Sequence, residues 1–269
     1  MNPVLTIDLN AICANWRSLD QASRAECGAV VKANAYGLGA AQVARALATE
    51  GARKFFVVLA SEAAALRPHL PENAEIWVFS GYMPGDAADF KASGARPLLN
   101  RPAQLAAFRK DFPDAPYGLD IDSGMARLGF EPAALASLAF ASPPLRPALL
   151  TSHLACADTP GHAMNATQLA SFSLLTAAMP MVPKSLAASA GIALGAGFHF
   201  DVLRPGIALY TGDFAGGTLP VQAELPIIQT RQLLPGQPVG YGATWSASRP
   251  SRIATLAGGY AGFFAASKG

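Results

Sequence analysis

The sequence predicts an α/β fold: a (β/α)8 TIM-like barrel over residues 1–215, followed by a partial, mainly β C-terminal domain over residues 216–269. Three observations carry this reading. Eight short apolar runs recur along the first part of the chain, at 29–32, 55–59, 76–79, 97–99, 117–121, 148–153, 185–187 and 203–207. Most are followed by an Ala-rich or amphipathic stretch long enough for a helix, and such alternation implies parallel strands joined by helical crossovers. Beyond Gly212 the helical patterning stops. An open doubly wound sheet shares the alternation, but no Gly-x-Gly-x-x-Gly turn follows the first strand to support a dinucleotide fold.

Taken in order, a short strand near residues 4–7 opens the chain, and Leu9, Ile12, Trp16 and Leu19 then recur at helical spacing as one apolar stripe. The strand–helix rhythm begins at residue 29, with helical stretches at 40–50, 103–110 and 165–178 among the crossovers. After Gly212, residues 218–220 and 235–238 punctuate short segments rich in Val, Ile, Gln and Thr. These segments, 223–230, 240–245 and 252–256, read as β structure and are too few for a robust sheet with a core of its own.

Composition narrows the functional classes. Charged residues make up 14% of the 269 residues, against about 25% in ordinary domains. A net charge of +2, from 20 basic and 18 acidic residues, provides no block that would hold a polyanion, which argues against nucleic acid as a partner. Cys13, Cys27 and Cys156 are widely spaced among apolar residues, as expected of reduced, buried thiols in a cytosolic protein. The N-terminus, Met-Asn-Pro-Val-Leu-Thr-Ile-Asp-Leu, has no basic segment leading into an apolar core, and no apolar run reaches bilayer length. A cytoplasmic protein is expected. No His, Cys or carboxylate spacing suggests a metal site.

The polar residues with chemical potential fall at the C-terminal ends of the expected strands, where barrel enzymes keep their active sites. In Val30-Val-Lys-Ala-Asn-Ala-Tyr-Gly-Leu-Gly39, Lys32 ends an apolar run just before a glycine-bearing turn. Desolvation there would favour the neutral amine, the form that attacks an aldehyde to make a Schiff base; a lone strand-end lysine more often reaches solvent. Arg127 lies in the loop after the fifth strand, in Asp120-Ile-Asp-Ser-Gly-Met-Ala-Arg-Leu-Gly, where a surface arginine is the competing reading. His153 ends the sixth run in Ser152-His-Leu-Ala-Cys-Ala-Asp158; a single histidine there is more often a satisfied core residue, and Asp158 could simply cap a turn.

The loops after the seventh and eighth strands are frequent phosphate sites. Here Ala188-Ser189-Ala190-Gly191 offers a hydroxyl, and Arg204-Pro-Gly206-Ile207 offers close backbone approach plus a fixed positive charge. Each is also ordinary turn material, so their joint position carries the signal. Tyr241, in Gly240-Tyr-Gly-Ala-Thr-Trp245 of the β segment, would need a lowered pKa to act as a base, since a free phenol titrates near pH 10.

Taken together, these motifs resemble successive signatures of bacterial alanine racemase, from Ile7 to Ala261. They comprise Val31-Lys-Ala-Asn-Ala-Tyr-Gly, Asp122-Ser-Gly-Met-Ala-Arg-Leu-Gly, Ser152-His-Leu-Ala-Cys-Ala-Asp, Arg204-Pro-Gly-Ile-Ala-Leu-Tyr and Val239-Gly-Tyr-Gly-Ala-Thr-Trp. The resemblance implies an isomerase that interconverts L- and D-alanine by two-base proton transfer on a pyridoxal-phosphate aldimine. Its D-alanine would serve as a peptidoglycan precursor. Lys32 would bind the pyridoxal 5'-phosphate and act as one base, with Tyr241 the base on the opposite face, supplied by the second subunit of a homodimer. Tyr36, Ser189, Gly206 and Ile207 match phosphate contacts, Arg204 the partner of the pyridine nitrogen, Arg127 a substrate-carboxylate contact, and His153 a partner that polarises Tyr241.

The chain also departs from the family pattern. Ala188 stands where members commonly have Asn, and Asp120 aligns with a lysine that some carry in carbamylated form; an aspartate would supply similar negative charge to Arg127. Gly259-Tyr-Ala-Gly262 lacks the usual acidic residue, and the chain ends at Gly269, short of the usual end of the family's β domain. The alternative implied is a non-catalytic pyridoxal-phosphate-binding barrel or an inactive truncated racemase.

Overall fold

The computed structural model describes residues 2–138 and 145–259, so Gly259-Tyr-Ala-Gly262 lies outside the described residues from Tyr260 onward. The chain forms two compact units, one spanning Asp8–Pro220 and the other joining the N-terminal strand to the residues from Val221.

That N-terminal strand, β1 (Val4–Ile7), is followed by a helix over Leu9–Gln21. Asp8 caps the helix, its Oδ1 accepting from the amides of Asn10 at 2.8 Å and Ala11 at 3.1 Å. Ile12, Cys13, Trp16 and Leu19 form its buried stripe. The barrel strands then come in order: β2 (Glu26–Cys27), β3 (Ala29–Val30), β4 (Lys54–Val57), β5 (Glu75–Val78), β6 (Arg96–Leu99), β7 (Gly118–Asp120), β8 (Leu149–Thr151), β9 (Lys184–Ser185) and β10 (Val202–Leu203). Strands β3 to β9 pair in sequence order, every neighbour parallel.

The two edges of this curved sheet meet through β10. It pairs with β2, the Gly28 amide donates to Leu203 O at 3.0 Å, and the Val30 amide donates to Pro205 O at 2.9 Å. On its other side the Arg204 amide donates to Ala187 O at 3.0 Å. With β2 and β3 counted as one strand interrupted at Gly28, eight strands close the barrel.

The pleat then decides which side chains meet, because every second residue of a strand points to the same face. Val30, Phe56, Trp77, Leu98, Leu149 and Val202 form one buried cluster contributed by six strands. Two residues further along the same strands, Lys32, Val58, Phe79, Asn100, Thr151 and Arg204 line a cavity. The barrel interior is thus apolar below and polar at the C-terminal mouth.

Three sequence expectations are corrected locally. The run at 29–32 does not stay extended: β3 ends at Val30 and Lys32 opens a left-handed turn. The run at 203–207 is strand only to Leu203, because Pro205 has no amide to donate and a short helix begins at Ile207. Residues 240–245 are not continuous β structure; Tyr241–Ala243 form a 3-10 turn, with Gly240, Gly242 and Ala243 all at positive φ.

In the second unit, β1 pairs antiparallel with β11 (Val221–Glu224). β12 (Ile227–Leu233) pairs antiparallel with β15 (Ser251–Leu256), and between them β13 (Pro238–Val239) pairs with β14 (Trp245–Ser246). Ile227, Ile228, Leu234 and Trp245 are exposed. Among the described residues, Cys13 and Cys27 are buried, Cys156 is half-buried, all three are free, and no helix is long and apolar enough to cross a membrane.

Gly118 lies on β7 between Leu98 and Leu149, and a Cβ there would sit 2.6 Å from Leu98 Cδ2 and 2.8 Å from Leu149 O. Gly118→Ala is therefore expected to overpack the barrel interior and cost about 1–3 kcal/mol, read as a lower urea midpoint at unchanged m-value.

Candidate active site

The mouth of the barrel holds a cavity of about 1100 Å³, and Lys32, Tyr36, Arg127, His153, Ser189, Arg204, Gly206 and Ile207 all line it. Tyr241 is the remaining residue singled out in the sequence; it belongs to the other unit and is 95% exposed.

Lys32 is set by an unusual backbone. Ala33, Asn34, Ala35 and Tyr36 are four successive non-glycine residues with φ between 50° and 56°. For L-residues this left-handed conformation costs roughly 1–2 kcal/mol each, so the surroundings must impose it. Both ends are tied: the Ala33 amide donates to Glu62 Oε1 at 2.6 Å, and the Ala40 amide donates to Asn34 Oδ1 at 2.8 Å. Gly37 and Gly39, at φ 92° and 95°, let the chain leave the turn. The turn brings Tyr36 back beside its own lysine, with Lys32 Nζ 5.7 Å from the centre of the Tyr36 ring.

The Tyr36 ring packs on Tyr210 at 4.9 Å between centroids, and Tyr210 Oη donates to Val30 O at 2.9 Å. Burial pushes the Tyr36 phenol up, so it remains a proton donor at neutral pH. Facing it is Gly206, where an added Cβ would lie 2.5 Å from Tyr36 Oη. Ser189 Oγ accepts from the amides of Gly206 at 2.9 Å and Ala208 at 3.2 Å, which joins the two loops sequence analysis had singled out. A phenol, a hydroxyl and the side-chain-free space at Gly206 make a cradle suited to a phosphate. Ala188 lines the cavity beside them and brings no hydrogen-bonding side chain.

Arg204 is buried to 2% exposure and keeps its guanidinium satisfied by protein groups. It donates to Ser185 Oγ and, at 2.6 Å, to Ser152 O. Burial lowers its pKa to about 10, with Asp120 opposing the shift, so it stays cationic at neutral pH. Burial likewise raises Asp120 to about 6, against the hydrogen bond from Thr151 Oγ1 at 2.7 Å and the attraction of Arg204 and Arg127. His153 moves the other way, down to about 4, first because it is desolvated and then because Arg204, Arg127 and Lys32 repel a second positive charge. Its imidazole is neutral under ordinary conditions.

Arg127 is carried by a loop that closes on itself. Asp122 Oδ1 accepts from the amides of Gly124, Met125 and Ala126 at 2.9, 2.9 and 3.1 Å, and Phe130 returns to bridge Ile121. Gly129 is required there, since a Cβ would lie 2.6 Å from the Asp122 amide. The residues that support Arg127 and His153 were not among those singled out in the sequence. Gln168, fully buried on the Ala163–Leu175 helix, accepts from Ala155 N and donates to His153 O and Ser123 Oγ, fixing the His153 strand end. Glu62 was also missed; its spacing to the start of its own helix was the available signal.

The chain is similar to known proteins over nearly its whole length. The family model described as alanine racemase, N-terminal domain, matches residues 7–213, and that for the C-terminal domain matches residues 221–267. The alanine racemase of Ruegeria sp. (strain TM1040) is 48% identical over 96% of this chain and 74% of its own length. That of Cereibacter sphaeroides (strain ATCC 17023) is 49% identical at the same coverage of both. Among solved structures, alanine racemase from Bartonella henselae with covalently bound pyridoxal phosphate superposes with a TM-score of 0.87 at 38% identity, covering 97% of this chain and 76% of that one. Biosynthetic alanine racemase from Pseudomonas aeruginosa superposes at 0.85 with 37% identity and the same coverages.

The depressed His153 pKa has a sign that can be checked. Between pH 6.5 and about 4 the unfolded chain takes up a proton on this ring that the folded chain refuses, so His153 erodes stability as the pH falls through that window. Asp120 acts oppositely between about 6 and 3.8, because the folded chain holds its proton more tightly. His153→Gln is expected to lose less melting temperature than the parent on going from pH 7 to pH 5. In the parent, the His153 ring resonances should not titrate between pH 8 and 5.5.

Proposed function

The chain belongs to the alanine racemase family, interconverts L- and D-alanine and uses pyridoxal 5'-phosphate; from this premise we propose the part each of its own residues takes. The observation that carries the assignment is the convergence of an amine, a buried guanidinium and an anion cradle on one cavity at the C-terminal mouth of the barrel.

The residues fit the cofactor. The cradle at Gly206 is a space that a Cβ would fill against Tyr36 Oη, and Lys32 presents a primary amine to the same cavity. When bound, the cofactor supplies a conjugated ring that draws electron density from the substrate α-carbon and so acidifies its proton. Lys32 holds the cofactor and moves the α-proton at its Nζ on one face. Tyr36, Ser189, Gly206 and Ile207 bind the phosphate. Arg204 would be the partner of the ring nitrogen and would keep its own proton, because a guanidinium near pKa 10 surrenders none at neutral pH, which would leave the cofactor a weaker electron sink and limit side reactions. Arg127 orients the substrate carboxylate, with Asp120 as the negative charge behind it.

Tyr241 is the second base, moving the proton at its Oη on the opposite face. Its near-complete exposure and its place outside the barrel unit support delivery from a second copy of the chain, so that a homodimer is the active form. His153, a neutral imidazole, is the group that polarises it. The D-alanine formed would serve as a cell-wall precursor in the cytoplasm.

With cofactor and L-alanine supplied, the chain is expected to form D-alanine. Lys32→Ala should lose the visible band of the lysine-bound cofactor and at least about 10³-fold in turnover; an unchanged spectrum would move the cofactor elsewhere. Tyr241→Phe should keep that band yet exchange the α-hydrogen of L-alanine with deuterated solvent about 10²–10⁴-fold more slowly. Equal exchange in variant and parent would remove Tyr241 from the mechanism.

A further inference from the structure

We propose that Glu62 is a positioning residue for Lys32: by accepting the Ala33 amide, its carboxylate holds the left-handed turn that fixes both the lysine amine and the Tyr36 phenol in the cavity. The proposal rests on Lys32 being the cofactor lysine.

Glu62 sits in the first turn of the Ala60–Leu66 helix, at the position from which a glutamate commonly reaches back to its own helix start. Its Oε2 does this, accepting from the amides of Val58 at 2.8 Å and Leu59 at 3.0 Å. Helix capping uses that oxygen alone. Oε1 is left to accept from Ala33 at 2.6 Å, the shortest of the three bonds, across 29 residues of sequence. One carboxylate therefore ties the segment leaving β4 to the segment leaving β3, two adjacent parallel strands. It takes hold at the first residue of the left-handed run, immediately after Lys32. Bonds from amides to an ionised acceptor are the strong class. The far end of the turn is pinned separately, through Asn34 Oδ1 and Ala40. Release of Ala33 would leave the peptide next to Lys32 free to relax toward right-handed geometry, which every L-residue in the turn favours, and would swing the lysine and Tyr36 away from Gly206. Glu62 itself does not line the cavity. Its influence on the amine passes through the backbone.

Two variants of the full chain separate this role from capping. Glu62→Gln keeps the shape but has one oxygen, so it cannot accept at Ala33 and at Val58 and Leu59 together. Glu62→Asp keeps a charge at the helix start and is one bond, about 1.5 Å, too short for Ala33. Each is titrated with pyridoxal phosphate, reading affinity from the visible band and the pH midpoint of that band, and the cofactor-free melting temperature is measured. Both variants are expected to bind at least tenfold more weakly, with the midpoint displaced by half a pH unit or more. Asp8→Ala removes the capping oxygen from the Leu9–Gln21 helix and should lower the melting temperature without changing affinity or midpoint. Parent-like affinity and midpoint in both Glu62 variants would reduce Glu62 to a helix cap, and an equal loss of affinity in Asp8→Ala would assign the effect to general destabilisation; either overturns the proposal. If Glu62→Gln does not fold, the Asp variant decides alone. A visible band that survives Lys32→Ala would instead overturn the premise, a result distinct from any seen at Glu62.

Discussion

Closure of the barrel between its first and last strands is the constraint on which the site depends. The Gly28 and Val30 amides reach Leu203 O and Pro205 O, and a Cβ on Gly28 would stand 2.9 Å from Lys54 O and 2.7 Å from the Phe56 ring. This glycine permits a close approach that no larger residue allows. The contact has a chemical consequence. Lys32 leaves one of the joined strands and Arg204 leaves the other, so residues 172 positions apart in sequence come to share one wall of the cavity. Opening that seam would separate amine from guanidinium and also part Tyr36 from Gly206.

The electrostatics of the mouth follow from burying Arg204 there. A guanidinium removed from water must find acceptors, which Ser185 Oγ and Ser152 O supply, while the charge of Asp120 favours the cation from further off. Ser152 is held in turn by Ser123 Oγ at 2.7 Å and by its bond to Ile121 O at 2.6 Å. The fixed cation then acts on its neighbours, adding to the desolvation that keeps His153 neutral and limiting how far burial raises Asp120. A cavity that gathers three basic side chains can thus place one neutral imidazole among them. The ion pairs of Lys54 with Glu26 and Glu75, and of Arg96 with Glu75, lie among β2, β4, β5 and β6, outside this network.

Much of the fold was legible because the barrel repeats a simple pattern. Runs of Val, Leu, Ile and Phe followed by helical stretches located the strands, and the ends of those runs pointed to Lys32, His153 and the Arg204 loop; the structure adds that Lys32, Thr151 and Arg204 lie two residues beyond buried Val30, Leu149 and Val202. Less legible was any place where a distant group overrides local preference. The sequence ends a strand at Lys32 and places a glycine-bearing turn after it, but nothing in Ala-Asn-Ala-Tyr marks four successive left-handed residues, which Glu62 and Asn34 help to hold. Gly-Tyr-Gly-Ala reads as β structure, while the positive φ angles of its glycines turn it around Tyr241. The opening strand of the chain pairs with β11, more than 200 residues away, and local pattern contains no record of that partner.

By itself the sequence determined the alternation of strands and helices, the family resemblance and the residues with chemical potential, because each of these is written in neighbouring side chains and their spacing. Only the tertiary structure decided which of those residues share a cavity, which charges are desolvated and which backbone is strained. Those properties arise from barrel closure and from single acceptors, Glu62 and Ser189 among them, that take amides from segments whose own sequences do not specify where they must meet.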